Sequence, residues 1–149
     1  MSKYEVVEKF VSINGEGTKA GQLAVFIRFK GCNLNCKYCD TKWANEQGTP
    51  SQPMTEKEIL DYVLSTGVKN VTLTGGEPLL REGIENVITV LAENNLNIEI
   101  ETNGSVYLDK IRKLHKENVT FTMDYKLSCS GMEAAMNLDN FNILSSNDT

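Results

Sequence analysis

The sequence predicts an α/β fold, a partial (β/α) barrel of parallel strands that is open and truncated at its C-terminal edge. Strand and helix patterns alternate along the chain, and polar or glycine clusters recur where the predicted strands end. Such alternation favours parallel strands joined by right-handed crossovers, and the few strands legible here are too few to close a barrel. Taken in order, Val6 and Phe10 set against Glu8 and Lys9 predict a half-exposed strand over Tyr4 to Ile13, and the more continuous run Leu23 to Phe29 predicts a buried one. Asn14-Gly15-Glu16-Gly17 is the turn between them. Thr55-Glu56-Lys57-Glu58 is a capping box that opens a helix reaching about Ser65. Val68 to Thr74 reads as a short strand ending in Gly75-Gly76, where a backbone without Cβ atoms can approach a ligand closely. Within Arg81 to Asn95, the helical spacing of Ile84, Val87, Ile88 and Leu91 predicts the next helix, stopped at Asn94-Asn95. A strand over Asn97 to Glu101 ends in Thr102-Asn103-Gly104, and Leu108, Ile111 and Leu114 mark a third helix leading to a strand over Val119 to Asp124. Gly131 to Met136 reads as a short helical stretch and Asn140 to Ser145 as the start of a further strand. No repeat, low-complexity tract or linker interrupts residues 1–149, which are expected to form one C-terminally incomplete domain whose last strand exposes an unpaired edge.

Composition narrows the function classes. The chain has 149 residues, 40% hydrophobic and 23% charged, enough for a compact domain with a core. Its 15 Lys and Arg against 20 Asp and Glu give a net charge of -5 with no polybasic block, which argues against nucleic-acid binding. Uninterrupted apolar runs such as Leu23 to Ile27 are far shorter than the roughly 20 residues that span a bilayer. Met1 to Glu8 carries Lys3, Glu5 and Glu8 and lacks the apolar region of a secretion signal, so a cytoplasmic, reducing compartment is expected.

In such a compartment clustered thiols bind metal or perform redox chemistry. Cys32, Cys36 and Cys39 fall within eight residues, whereas Cys129 stands alone. Three thiolates on a loop after a strand can converge on an iron-sulfur cluster or a zinc ion, and chance spacing is the remaining reading. A structural zinc site usually closes with a fourth ligand. Of the candidates, His115 is expected as a solvated residue on a charged helix, while Cys129 as a fourth thiolate would make a structural or electron-transfer centre. By pattern alone Arg28 is as readily a surface residue, and Glu77 and Glu101 are solvated carboxylates.

Cys32-Asn33-Leu34-Asn35-Cys36-Lys37-Tyr38-Cys39 resembles the CxxxCxxC loop of radical S-adenosylmethionine (SAM) enzymes, with an aromatic residue before the third cysteine. Gly75-Gly76-Glu77-Pro78 resembles that superfamily's GGEP element and Glu101-Thr102-Asn103-Gly104 its ETNG element, both at predicted strand ends. The run Ser12 to Gly17, with Gly21, Phe26, Arg28 and Cys39-Asp40-Thr41, is similar to a narrower family, the 7-carboxy-7-deazaguanine synthases. That resemblance extends from about Tyr4 to Asn142.

The resemblance implies a lyase that contracts 6-carboxy-5,6,7,8-tetrahydropterin to 7-carboxy-7-deazaguanine with loss of ammonia, on the route to queuosine-type nucleosides. It implies a [4Fe-4S] cluster on Cys32, Cys36 and Cys39, with SAM at the open iron, and Mg²⁺ on the Thr41 hydroxyl. Tyr38, Asp40, Gly75, Gly76, Glu77, Thr102, Asp124, Tyr125, Lys126 and Ser128 would hold SAM, with Ser130 in the same loop. Ile13, Asn14, Gly15, Glu16, Arg28 and Thr74 would hold the pterin, Arg28 by its carboxylate. Asn14 stands where the family usually has Gln, and Asp124-Tyr125-Lys126 matches the family's Ser-Pro-Lys only at the lysine. An electron donor such as flavodoxin or ferredoxin and a homodimeric state are implied as well. Two other classes remain: a glycyl-radical activating enzyme of the same superfamily and a non-enzymatic zinc or iron-sulfur module.

Overall fold

The computed structural model describes residues 3–114 and 117–149, so the expectation for His115 lies outside the described residues. Six strands form one sheet: β1 (Tyr4–Ile13), β2 (Leu23–Phe29), β3 (Gln52–Met54), β4 (Asn70–Gly75), β5 (Asn97–Thr102) and β6 (Val119–Met123), in the order β3-β1-β2-β4-β5-β6. β2, β4, β5 and β6 run parallel, whereas β1 is antiparallel to both β2 and β3. The helices are α1 (Lys42–Asn45), α2 (Glu56–Thr66), α3 (Ile84–Glu93) and α4 (Asp109–Leu114). The expected partial barrel of parallel strands is present.

Alternation along the strands decides which face each residue serves. Val25, Ile27, Val71, Leu73, Ile98, Ile100, Val119 and Phe121 point one way and pack with Ile59 and Val63 of α2 and with Val87, Ile88 and Leu91 of α3. The intervening residues, Arg28, Thr72, Thr74, Glu99, Glu101 and Thr122, share the opposite face. Register brings them together: Arg28 stands beside Thr74 and Glu101 beside Thr122.

Local signals account for the boundaries. Thr55 and Glu58 form the expected capping box, with the Thr55 amide donating to the Glu58 carboxylate at 2.7 Å. The Asn14 amide donates to the Gln22 carbonyl and the Gly21 amide to the Asn14 carbonyl, both at 2.8 Å, which closes the β1–β2 turn.

Two segments differ from expectation. Asn140 to Ser145 does not begin a strand: Leu138–Asn142 is a 3-10 helix. The reason is Asn140, fully buried, whose side-chain amide donates to the carbonyls of Gly104 and Val106 while its oxygen accepts from the Leu108 amide. Its backbone is thereby committed to a turn that holds the loop before α4. The second is the edge of β6, expected to lie open. There the Thr149 amide donates to the Phe121 carbonyl at 2.9 Å, and the Met123 amide donates to the Thr149 carbonyl at 2.8 Å. Asp148 accepts from the Phe121 amide and pairs with Arg112. Burial pushes the Asp148 carboxyl up, but the Arg112 guanidinium and the amides of Phe121 and Ser145 outweigh it and hold it below its ordinary value. Neither α1 nor β3 is anticipated by the sequence pattern; β3 is short and contains Pro53, which suits an edge strand.

Candidate functional site

The polar face opens into a cleft of about 730 Å³ lined by residues from the C-terminal ends of β2, β4, β5 and β6 and the loops that follow. That size suits a cofactor and a small substrate. Of the expected site residues, Glu16, Arg28, Cys32, Cys36, Tyr38, Cys39, Asp40, Thr41, Thr74, Gly75, Gly76, Thr102, Asp124, Tyr125 and Lys126 all line it.

The cysteine loop leaves β2 and is tied down at several points. Arg81 Nη1 donates to the Lys30 carbonyl at 2.6 Å, the Gly31 amide donates to Asn45 Oδ1 at 3.0 Å, and the Glu77 amide donates to the Gly31 carbonyl at 3.0 Å. Further along, the Lys37 amide donates to the Ser130 carbonyl at 3.0 Å. Gly75 and Gly76 make this docking possible, because a Cβ on Gly75 would run into the Phe29 backbone and one on Gly76 into the Gly31 carbonyl. The two glycines therefore serve a close approach of backbone to backbone at the root of the loop.

All three loop cysteines are free thiols, Cys36 buried and Cys32 and Cys39 partly so. Burial raises the Cys36 thiol above its ordinary value; Lys126 opposes this, while the neighbouring Cys32, Cys39 and Asp124 add to it. Cys32 Sγ accepts from the Leu34 amide at 3.4 Å and from Asn103 Nδ2 at 3.6 Å, and Cys39 Sγ lies 3.6 Å from the Thr41 hydroxyl. Cys129 is exposed and does not line the cleft.

Glu77, expected among the residues around SAM, does not line the cleft and keeps its side chain beneath it. Its carboxylate is fully buried and accepts from the Leu79 amide at 3.1 Å, the Thr102 hydroxyl at 3.0 Å and the Asn103 amide at 2.7 Å. It is a strut that joins the end of β4 to the end of β5. Burial raises its carboxyl, which these donors and Lys126 only partly offset.

Of the residues expected around the pterin, Ile13 and Gly15 are exposed and off the cleft, and Asn14 is buried beneath it. The Asn14 side-chain Nδ2 donates to the Glu99 carboxylate, and its Oδ1 accepts from the Glu16 backbone amide at 3.1 Å. Asn14 thus positions Glu16, which does line the cleft. Glu99, buried, also accepts from Thr72 and, at 2.5 Å, from Thr122. Gly17 sits against this same carboxylate, where any Cβ would collide with it. Ser128 is exposed and off the cleft, and Ser130 is fully buried and bonded to its own loop.

Neither Arg28 nor Glu101 is a surface residue. The Arg28 side chain is 17% exposed and gives Nε to Glu8 at 2.9 Å, with its guanidinium on the cleft wall. Burial raises the Glu101 carboxyl; a hydrogen bond from Thr74 counters it, Glu16 and Glu99 add to the rise, and Arg28 lowers it. Lys126, which pairs with Asp124, is lowered by burial yet raised overall by that carboxylate and by Cys36 and Tyr38. Sequence reasoning passed over Asn45 and Thr122 on the cleft wall and Glu99 beneath it. The alternation of Glu99 and Glu101 with Ile98 and Ile100 carried the signal for Glu99; nothing in the sequence marked Asn45.

Residues 26–126 match the radical SAM superfamily, and the chain belongs to it. Within it, a 7-carboxy-7-deazaguanine synthase of Clostridium acetobutylicum is 61% identical over 146 residues, covering 97% of this chain and 66% of the relative. One of Rhodopirellula baltica is 45% identical over 103 residues, covering 68% of this chain and 39% of the relative. The fold matches a crystal structure of QueE from Escherichia coli with a TM-score of 0.70 at 25% identity, over 84% of this chain and 60% of that one. The chain therefore spans less than two thirds of the length of these proteins.

Membership of the superfamily implies a [4Fe-4S] cluster and SAM, and the donor set fits. Three unpaired thiols on one loop open to one cleft, supplying the soft ligands an iron-sulfur cluster takes. Among the described residues no three His, Cys, Asp or Glu side chains are grouped as a single metal ion would need. No helix among them is long and apolar enough to cross a membrane.

Proposed function

We propose that this chain forms a radical SAM core domain of a 7-carboxy-7-deazaguanine synthase, a lyase acting on 6-carboxy-5,6,7,8-tetrahydropterin with loss of ammonia in 7-deazapurine biosynthesis. The observation that carries this reading is that one cleft is lined both by Cys32, Cys36 and Cys39 and by Glu16, Arg28 and Thr74. When bound, the cluster and SAM supply one-electron radical chemistry. The chain's own residues bind and orient. Cys32, Cys36 and Cys39 hold the cluster, while Gly75, Gly76 and Thr102 with Tyr38, Asp40, Asp124, Tyr125 and Lys126 enclose SAM.

Arg28 meets the substrate carboxylate, because a guanidinium fork matches that group and is only partly occupied by Glu8. Glu16, held by Asn14, accepts hydrogen bonds from the polar edge of the pterin. Glu101, whose carboxyl burial raises above the ordinary glutamate value, adds a carboxyl group to the cleft wall beside Thr74. Thr41 contributes its hydroxyl to Mg²⁺, a hard cation that favours oxygen. We place the protein in the cytoplasm as a homodimer, with a flavodoxin or ferredoxin as electron donor.

The test separates substrate binding from SAM cleavage. Arg28→Ala is expected to weaken binding of the carboxylated pterin by about 3 to 5 kcal/mol, the usual cost of breaking one side of a buried ion pair. Uncoupled formation of 5'-deoxyadenosine should persist. Unchanged pterin binding in the variant would remove the polar anchor of this assignment.

A further inference from the structure

Asn103 is the third residue of the element Glu101-Thr102-Asn103-Gly104, and its side chain turns toward the cysteine loop. Asn103 is 7% exposed, and its orientation is fixed from three sides. Its backbone amide donates to the buried Glu77 carboxylate at 2.7 Å, and its Oδ1 accepts from the Ser105 amide at 3.0 Å and the Ser105 hydroxyl at 2.6 Å. With the oxygen engaged in this way, Nδ2 is directed at Asn33 Oδ1, 3.1 Å away, and at Cys32 Sγ, 3.6 Å away. An amide has two N–H donors, one for each acceptor. Cys32 Sγ also accepts from the Leu34 amide at 3.4 Å, so this sulfur carries two N–H donors.

We propose, resting on the reading of Cys32, Cys36 and Cys39 as cluster ligands, that Asn103 is a positioning residue whose N–H···S bond to Cys32 raises the reduction potential of the cluster. Adding an electron to an iron-sulfur centre increases negative charge on its sulfur ligands, and a donor aimed at such a sulfur stabilises the reduced form more than the oxidised one. The donor here is neutral, so it shifts the potential without adding charge to the cleft. It is also rigid, because the Glu77 strut holds the backbone that carries it. The end of β5 is thereby coupled to the ease with which the cluster accepts its electron.

The experiment is anaerobic reconstitution of the whole chain with iron and sulfide, metal and sulfide counts, and a redox titration followed by electron paramagnetic resonance. Asn103→Ala and Asn103→Asp are both expected to retain iron and to titrate at a more negative midpoint. The expected loss is of order tenfold in electron affinity, about 59 mV for one electron. The aspartate, which places an anion beside the sulfur, should move at least as far as the alanine. Asn33→Ala, which removes the competing acceptor and leaves the N–H···S bond, should titrate with the unsubstituted protein.

Equal midpoints in all four proteins at full iron content overturn the inference while leaving the cluster site intact. A shift in Asn33→Ala as large as in Asn103→Ala also overturns it, since loop disturbance would then be the cause. Loss of iron from both Asn103 variants overturns it too, making the residue a support of the loop. No iron uptake by the unsubstituted chain would instead overturn the cluster reading itself, and the metal count tells that outcome apart.

Discussion

The two faces of the sheet are built from the same strands and do opposite things. On β5, Ile98 and Ile100 are fully buried beneath the helices, while Glu99 and Glu101 between them belong to the other face. β4 divides in the same way, with Val71 and Leu73 in the apolar core and Thr72 and Thr74, also buried, on the polar face. A parallel sheet covered on both faces by helices needs apolar residues at every position. Here α2 and α3 cover one face, and the other carries hydrogen-bonded carboxylates and hydroxyls. One face thus supplies stability through burial, and the other supplies fixed polar groups whose net contribution to stability is small but whose positions define the cleft.

That division is open to test by substitution, and the largest effect falls on the cleft side. Cys36→Ala should abolish uptake of the iron-sulfur cluster, whereas Cys129→Ala should keep full iron stoichiometry, as measured after anaerobic reconstitution. Loss of iron in the Cys129 variant with retention in the Cys36 variant would relocate the site. On the apolar face, Ile100→Ala should cost about 2–5 kcal/mol in denaturant unfolding of the chain, through lost burial and the cavity left behind. Its neighbour on the strand behaves differently. Glu101 is raised above its ordinary value of 4.5, so the folded chain binds that proton more tightly than the unfolded chain. Stability should therefore fall as pH rises from the ordinary glutamate value through the raised one and then level off. Glu101→Gln should flatten that slope, with melting temperature against pH as the readout.

The same contrast explains what the sequence made legible. The helix-covered face could be read from apolar spacing, because burial acts on each residue according to its own hydrophobicity: Ile84, Val87, Ile88 and Leu91 mark α3 without any knowledge of their partners. The cleft was legible where its chemistry is local in sequence, as in Cys32, Cys36 and Cys39. It is hidden where a polar residue is defined by a distant partner. Asn14 and Glu99 are 85 positions apart, and only the closed β1–β2 turn shows that Asn14 faces a buried carboxylate. The burial of the Glu77 side chain is hidden for the same cause, since its donors Thr102 and Asn103 arrive from the end of the next strand. Asn140 heads a stretch with Phe141, Ile143 and Leu144 that reads as the start of a strand, but three hydrogen bonds to the segment before α4 decide its conformation.

The proposed three-cysteine cluster site and SAM site share one cleft on the polar face. The most direct measurement is formation of 5'-deoxyadenosine by the anaerobically reconstituted chain, given SAM and a one-electron reductant, beside Cys36→Ala. 5'-Deoxyadenosine is expected from the unsubstituted chain and none from the variant. Full iron and sulfide content with no SAM cleavage, or cleavage that survives loss of Cys36, would contradict it.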